Sequence, residues 1–114
     1  MSDIEIRDDR AAGRLEAVDG GEVVGHIEYF VLDAPATALV PVHTIVEPAH
    51  EGQGIAGSLA RELYAGAERE GVAVAPLCPY VVKWAERHPD EAPAADPALL
   101  DAAEQWLREH PGRF

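Results

Sequence analysis

The sequence has few basic residues, a single cysteine and no long apolar run. It contains 9 Lys and Arg against 21 Asp and Glu, which gives a formal net charge of -12. Binding to a nucleic-acid backbone needs clustered basic residues, so this balance argues against a nucleic-acid partner. The single cysteine permits no internal disulfide bond. No apolar run approaches the roughly 20 residues of a membrane-spanning helix.

Targeting and metal-binding patterns are missing as well. The N-terminal segment MSDIEIRDDR is acidic and polar, without the basic start and the apolar stretch of a signal peptide. The histidines and the cysteine show no paired spacing such as C-x-x-C or H-E-x-x-H, so we expect no metal site. These absences together predict a cytoplasmic protein with no membrane partner.

The length of 114 residues and a hydrophobic content of 47% are typical of a globular protein. Such a chain is long enough to bury a core and too short to build two of them. We therefore expect one domain over residues 1–114.

Hydrophobic patterning predicts strands in the first part of the chain and helices in the second. Two β-rich runs joined by Asp19-Gly20-Gly21 indicate a hairpin, and Pro41 in the following strand indicates an edge position or a bulge. The predicted elements are strands near Ile4–Ile6, Leu15–Val18, Glu22–Leu32, Thr37–Val46 and Val72–Pro76, and helices over Gly54–Glu70, from about Cys78 to Arg87 and from Asp96 onward. This order predicts an α+β fold with a mixed, mostly antiparallel sheet.

A glycine-rich turn, EGQGIAGSLA from Glu51 to Ala60, precedes the central predicted helix. Its letters match the dinucleotide-binding pattern G-x-G-x-x-G. That pattern needs its first glycine at a strand end and an acidic residue about 20 positions later. Here EPAHE separates the strand from Gly52, and the next strand ends in Ala75-Pro76 without a carboxylate. A pyrophosphate of acyl-CoA fits better, because free N–H groups at a helix start bind phosphate and glycines permit close approach.

Three blocks in this order resemble the small, single-domain branch of the GCN5-related N-acetyltransferase (GNAT) superfamily. They are HTIVEP (residues 43–48), GQGIAGSL (residues 52–59) and PLCPYVVKWAERHPD (residues 76–90). The likeness covers about residues 22–90, which leaves residues 91–114 as a connector and a C-terminal helix. The resemblance implies a GNAT-like sheet with a central strand-helix-strand unit that binds acetyl-CoA as co-substrate.

The resemblance also implies a set of cofactor-binding residues along the strand and the glycine turn. Main-chain groups around Ile45 and Val46 would pair with the pantetheine arm, and the turn would hold the pyrophosphate. Glu51 departs from the Arg or Gln that the family generally has there, and a carboxylate repels phosphate. The implied residues are Ile45, Val46, Glu51, Gly52, Gln53, Gly54, Ile55, Ala56, Gly57 and Ser58.

Three side chains are candidates for catalysis. Cys78, before the second helix, could accept an acetyl group, line the thioester site, or be an inert buried thiol. His43 could act as general base on an amine, or be an ordinary strand residue. Tyr80 could protonate the leaving thiolate, or pack on the sheet.

The leading hypothesis is an N-acyltransferase that uses acetyl-CoA and an amine acceptor, either a small molecule or a protein lysine. A non-catalytic acyl-CoA-binding or sensing module would keep the same cofactor turn. A purely structural interaction domain would use the glycines only for turn geometry. Binding of acetyl-CoA and turnover with amines distinguish these three hypotheses.

Overall fold

The computed structural model describes residues 4–114, so residues 1–3 of the predicted domain lie outside it. Its five strands form one sheet in the order β1-β2-β3-β4-β5, antiparallel except for the parallel β4–β5 pair. This mixed, mostly antiparallel α+β architecture confirms the predicted fold class. The strands are β1 (Ile4–Asp9), β2 (Arg14–Asp19), β3 (Glu22–Leu32), β4 (Ala38–Val46) and β5 (Ala73–Val74). The helices are α1 (Ile55–Glu70), α2 (Pro79–Arg87) and α3 (Pro97–Glu109), with a short 3-10 turn at Pro48–His50.

Local signals fix the helix ends. α1 ends at Gly71, whose φ of 71° is left-handed and whose N–H bonds to the carbonyls of Ala67 and Glu68. α3 begins after Asp96, whose carboxylate accepts a hydrogen bond from the Ala98 N–H at 2.8 Å. Both caps lie where the sequence predicted them. None of the helices in residues 4–114 has the length and apolar character needed to cross a bilayer.

The strand before α1 differs from the prediction in one respect. β4 lies between β3 and β5, so Pro41 is in an interior strand and the predicted edge position is wrong. The predicted bulge is confirmed, because Tyr29 pairs with Pro41 while Glu28 pairs with His43, which leaves Val42 as the extra residue.

The sheet separates two apolar layers. α1 and α2 cover one face, which we call the α1 face, and α3 covers part of the other, the α3 face. Burial of each large apolar side chain contributes on the order of 1.5–3 kcal/mol, so both layers stabilise the sheet. Buried residues of the α1 face include Leu15, Ile27, Leu59 and Val81, and those of the α3 face include Phe30, Val40, Leu99 and Ala103.

Gly25 of β3 sets how closely α1 approaches the sheet at its N-terminal end. A Cβ at this position would lie 3.1 Å from Ile55 Cγ2, 3.2 Å from the Ile45 carbonyl oxygen and 3.3 Å from Val46 Cγ2. At such distances a methyl group fits only if its neighbours shift by a few tenths of an ångström. The position of the start of α1 against the sheet therefore depends on glycine at position 25 of β3, which has no side chain.

We predict that Gly25→Ala lowers the free energy of unfolding by about 1–3 kcal/mol, because the added methyl group overpacks the contact with Ile55. Urea unfolding followed by circular dichroism measures the change. Gly66→Ala is the matched control, since a Cβ there meets only the Arg69 guanidinium at 3.6 Å. This helical substitution should stabilise the fold by about 0.5–1 kcal/mol. Equal stability of Gly25→Ala and the unmodified protein would contradict the prediction.

Candidate functional site

Beyond Pro41, β4 and the chain that follows β5 separate and leave a gap. The two strands pair only at Ala38–Leu39 with Ala73–Val74, and the Ala75 N–H donates to the Leu39 carbonyl at 2.9 Å. In a parallel ladder the next donor would be the N–H of residue 41, which proline lacks. The predicted strand over Val72–Pro76 is accordingly shorter in the structure.

Beyond this point the Pro41 carbonyl holds the turn into α2. It accepts hydrogen bonds from the Leu77 N–H at 3.1 Å and from the Cys78 N–H at 3.0 Å. The chain then leaves the sheet and begins α2 at Pro79. The last part of β4 consequently faces the gap instead of a paired strand.

The register of β4 decides which main-chain groups face this gap. Ile45 lies opposite His26, and the Glu47 N–H donates to the Val24 carbonyl at 2.8 Å. In an antiparallel ladder this pattern turns the N–H and C=O of Ile45 toward β3 and those of Thr44 and Val46 away from it. Thr44 and Val46 therefore offer the free main-chain groups next to α2.

The glycine turn leaves open donors at the start of α1. Gly52 and Gly54 have φ values of 80° and 77°, which favour glycine. Gly54 is the N-cap of α1, and no side chain among residues 4–114 caps the helix. Since the Ser58 N–H makes the first intrahelical bond, to the Gly54 carbonyl at 3.0 Å, the earlier N–H groups of the helix lack intrahelical acceptors.

The gap and the turn border a common cavity of about 400 Å³. Three of its lining residues come from outside the predicted cofactor set: Thr44, His50 and the predicted catalytic Tyr80. Ile45, Gln53 and Ser58 do not line it. The lining residues from the predicted cofactor set are Val46, Glu51, Gly52, Gly54, Ile55, Ala56 and Gly57.

Another cavity, of about 710 Å³, lies at the opposite end of α1, beside Gly71, β5 and the connector before α3. It is larger, but none of the predicted site residues lines it. Size alone therefore does not identify the functional site, and the smaller cavity carries the motif residues.

Cys78 lies behind the wall of the smaller cavity. Its side chain is 3% exposed, and its Sγ is 3.3 Å from the Thr44 Oγ1. Thr44 lines the cavity and Cys78 does not. Tyr80, by contrast, is 40% exposed, and its hydroxyl lies 3.6 Å from where a Cβ of Gly57 would be. The tyrosine hydroxyl thus reaches the start of α1.

His43 lies on the α3 face of the sheet, the face opposite Thr44 and Cys78. It is exposed, its Nε2 is 3.4 Å from the Phe114 carbonyl, and it pairs across strands with Glu28. His26 occupies the same polar area. Burial, and secondarily the Arg14 guanidinium, hold the pKa of His26 below its usual value, so this ring is neutral at pH 7. The structure thus brings Tyr80 to the cavity and leaves His43 across the sheet.

Comparison with known families decides the classification. Residues 14–94 match the sequence profile described as GCN5-related N-acetyl-transferase. The chain belongs to this family. GNAT proteins use acetyl-CoA as co-substrate. Among curated proteins, no significant match was found.

The fold is similar to that of solved acetyltransferase structures. A ribosomal-protein-alanine N-acetyltransferase from Brucella melitensis biovar Abortus 2308 is 28% identical, with a TM-score of 0.56 over 73% of this chain and 62% of that one. An aminoglycoside acetyltransferase from an uncultured soil metagenomic sample, solved with sisomicin, is 15% identical, with a TM-score of 0.56 over 73% and 60%. A Brucella melitensis GNAT acetyltransferase solved with acetyl-CoA is 30% identical, with a TM-score of 0.48 over 62% and 50%. The chain spans about three-fifths of the first two structures, 62% and 60%.

The residues around the cavity fit acetyl-CoA. Uncapped N–H groups at the start of α1 suit a pyrophosphate, and Gly52 and Gly54 have no Cβ to obstruct it. The free main-chain groups of Thr44 and Val46 suit the amides of a pantetheine arm. Glu51, exposed and in the lining, carries a negative charge that opposes a polyphosphate.

We predict that Gly54→Ala weakens acetyl-CoA binding at least tenfold, because the added Cβ would enter the open space in which the pyrophosphate approaches the N–H donors. Gly71→Ala is the matched control. Gly54 lies at the N-terminal end of α1 and Gly71 at its C-terminal end, their φ values are 77° and 71°, and the space around each missing Cβ is open. Both variants should lose roughly 1–2 kcal/mol of stability through left-handed strain. Only Gly54→Ala should change the dissociation constant measured by titration calorimetry. Equal affinities of the two variants would show that the pyrophosphate binds elsewhere.

Proposed function

We propose that this chain is an acetyltransferase that transfers the acetyl group of acetyl-CoA to an amine. One observation carries the proposal: the gap beside β4 and the uncapped start of α1 open into the same cavity. A pantetheine arm and a pyrophosphate need these two features side by side. The 28% identical neighbour is named for acetylating an alanine of a ribosomal protein, which supports an amino-group acceptor.

The chain's own residues divide the binding of acetyl-CoA between them. The amides of the turn from Gly52 to Gly57 hold the pyrophosphate, and Val46 and Thr44 pair with the pantetheine arm. The bound co-substrate supplies an activated acyl thioester. The hydroxyl of Tyr80, which lines the same cavity, returns a proton to the sulfur that leaves.

The acceptor amine approaches from the α3 face in this proposal. The ammonium group of a small molecule or of a protein lysine would be attracted by Glu28. His43, directly opposite Glu28 in the register and exposed, removes the proton that makes the amine nucleophilic. The proposal therefore requires the amine to pass from the α3 face to the thioester beside the end of β4.

Transfer is direct, without a covalent acetyl-cysteine. The Cys78 thiol is 3% exposed and has Thr44 between it and the cavity. A nucleophile must approach the carbonyl carbon of the thioester closely and in the correct direction. The buried Cys78 sulfur cannot do so from behind Thr44. Cys78 therefore acts as part of the wall.

Two measurements on the unmodified protein test the function. Calorimetric titration with acetyl-CoA should give saturable binding, and release of CoA with a panel of primary amines, including a lysine peptide, should show turnover. Binding without turnover on any amine would favour the acyl-CoA-binding or sensing module. Absence of binding would favour the structural interaction domain.

We predict that Cys78→Ala keeps turnover within about threefold of the unmodified protein, because no bond to sulfur forms during direct transfer. Incubation with acetyl-CoA and no amine should leave the intact mass of the unmodified protein unchanged. Thr44→Val, which keeps the shape and removes the hydroxyl that contacts Cys78, serves as the comparison for damage to the wall. A mass increase of one acetyl group that Cys78→Ala abolishes, together with lost turnover, would instead identify an acyl-enzyme.

A further inference from the structure

The candidate cofactor cavity has little positive charge with which to attract its proposed ligand. Its ligand would carry several negative charges, whereas the chain has a formal net charge of -12 and the lining contains Glu51. None of the described residues that line the cavity is Lys or Arg. His50 is the lining side chain that can gain a positive charge near neutral pH.

His50 is held in place by its backbone and by one carboxylate. It closes the 3-10 turn, with its N–H bonded to the Glu47 carbonyl at 2.8 Å. Its Nε2 lies 3.7 Å from the Asp19 Oδ2, at the end of β2. Its Nδ1 is buried and has no hydrogen-bond partner within residues 4–114.

The other charged groups around this ring are few. Asp19 faces it from the β2–β3 hairpin, and Glu51 follows it in the same loop. The first turn of α1 contributes no acidic side chain, and α2 contributes the neutral Tyr80. The ring lines the cavity, and its Nε2 lies 3.7 Å from the Asp19 carboxylate, whereas its Nδ1 is buried.

We propose that protonated His50 supplies the positive charge for the CoA pyrophosphate and makes CoA binding dependent on pH. The inference rests on the proposed function, in which CoA binds in this cavity. Phosphate stabilises the protonated ring, so binding raises the pKa of the group that it contacts. Affinity is then highest when the ring is protonated and falls as the pH rises through the pKa of the complex.

Dephospho-CoA is the probe for this test. It keeps the pyrophosphate and lacks the 3′-phosphate, a phosphomonoester whose own second ionisation near pH 6 would obscure the effect. Calorimetry at constant low ionic strength should give a dissociation constant roughly fivefold or more lower at about pH 6 than at about pH 8. The difference should shrink as salt is added.

Three variants separate the histidine from other charges. His50→Gln should bind dephospho-CoA equally at both pH values, at about the weak affinity of the unmodified protein at high pH. His110→Gln, a matched loss of a histidine at the end of α3, should keep the full pH dependence. Glu51→Gln should tighten binding by a similar factor at both pH values, since glutamate does not titrate in this range.

A measurement on the unmodified protein keeps the inference testable if His50→Gln fails to fold. The ring-proton NMR signal of His50, titrated with and without dephospho-CoA, should show a higher pKa in the complex. Dephospho-CoA that binds with the same affinity at both pH values, or with no change in the His50 titration, would overturn the inference and leave the proposed function standing. Absence of binding at either pH would overturn both.

Discussion

The candidate site depends on Pro41 of β4, a residue that has no backbone N–H group. Pro41 is the residue whose N–H would donate to the Ala75 carbonyl in the β4–β5 ladder, and proline lacks this donor. The Pro41 carbonyl on the same side is fully used, by Leu77 and Cys78. The chain therefore turns into α2 at this point, and the end of β4 is left beside a gap. Proline inside a sheet is ordinarily disfavoured, and here it lies where β4 and the chain after β5 separate.

The second constraint is charge. An acidic chain can hold a polyphosphate only if local donors outweigh the overall field, and the uncapped first turn of α1 provides such donors without a formal charge. Main-chain dipoles do not change with pH. With dephospho-CoA as the ligand, a pH dependence of binding that the protein contributes must therefore come from a side chain, and this separates the role proposed for His50 from that of the glycine turn.

Features set by neighbouring residues were predictable from the sequence, and features set by distant ones were not. Gly71 and Asp96 mark the end of α1 and the start of α3 through contacts within a few residues, and both helix ends were predicted correctly. The β5 strand was predicted too long because its end is set by Pro41, about thirty positions earlier in the chain. His50 matches no motif. Only the fold brings it to the cavity lining and to Asp19.

The bulge at Val42 has the same non-local character and a larger consequence. Side chains alternate between the faces of a strand, so one extra residue changes which face each later side chain occupies. With the bulge, Thr44 joins Cys78 on the α1 face and His43 lies on the α3 face with Glu28. Paired strands lie about 4.8 Å apart, too close for a substrate to pass between them. In the proposed arrangement the amine and the thioester therefore have to meet beside the end of β4, where β5 no longer pairs with it.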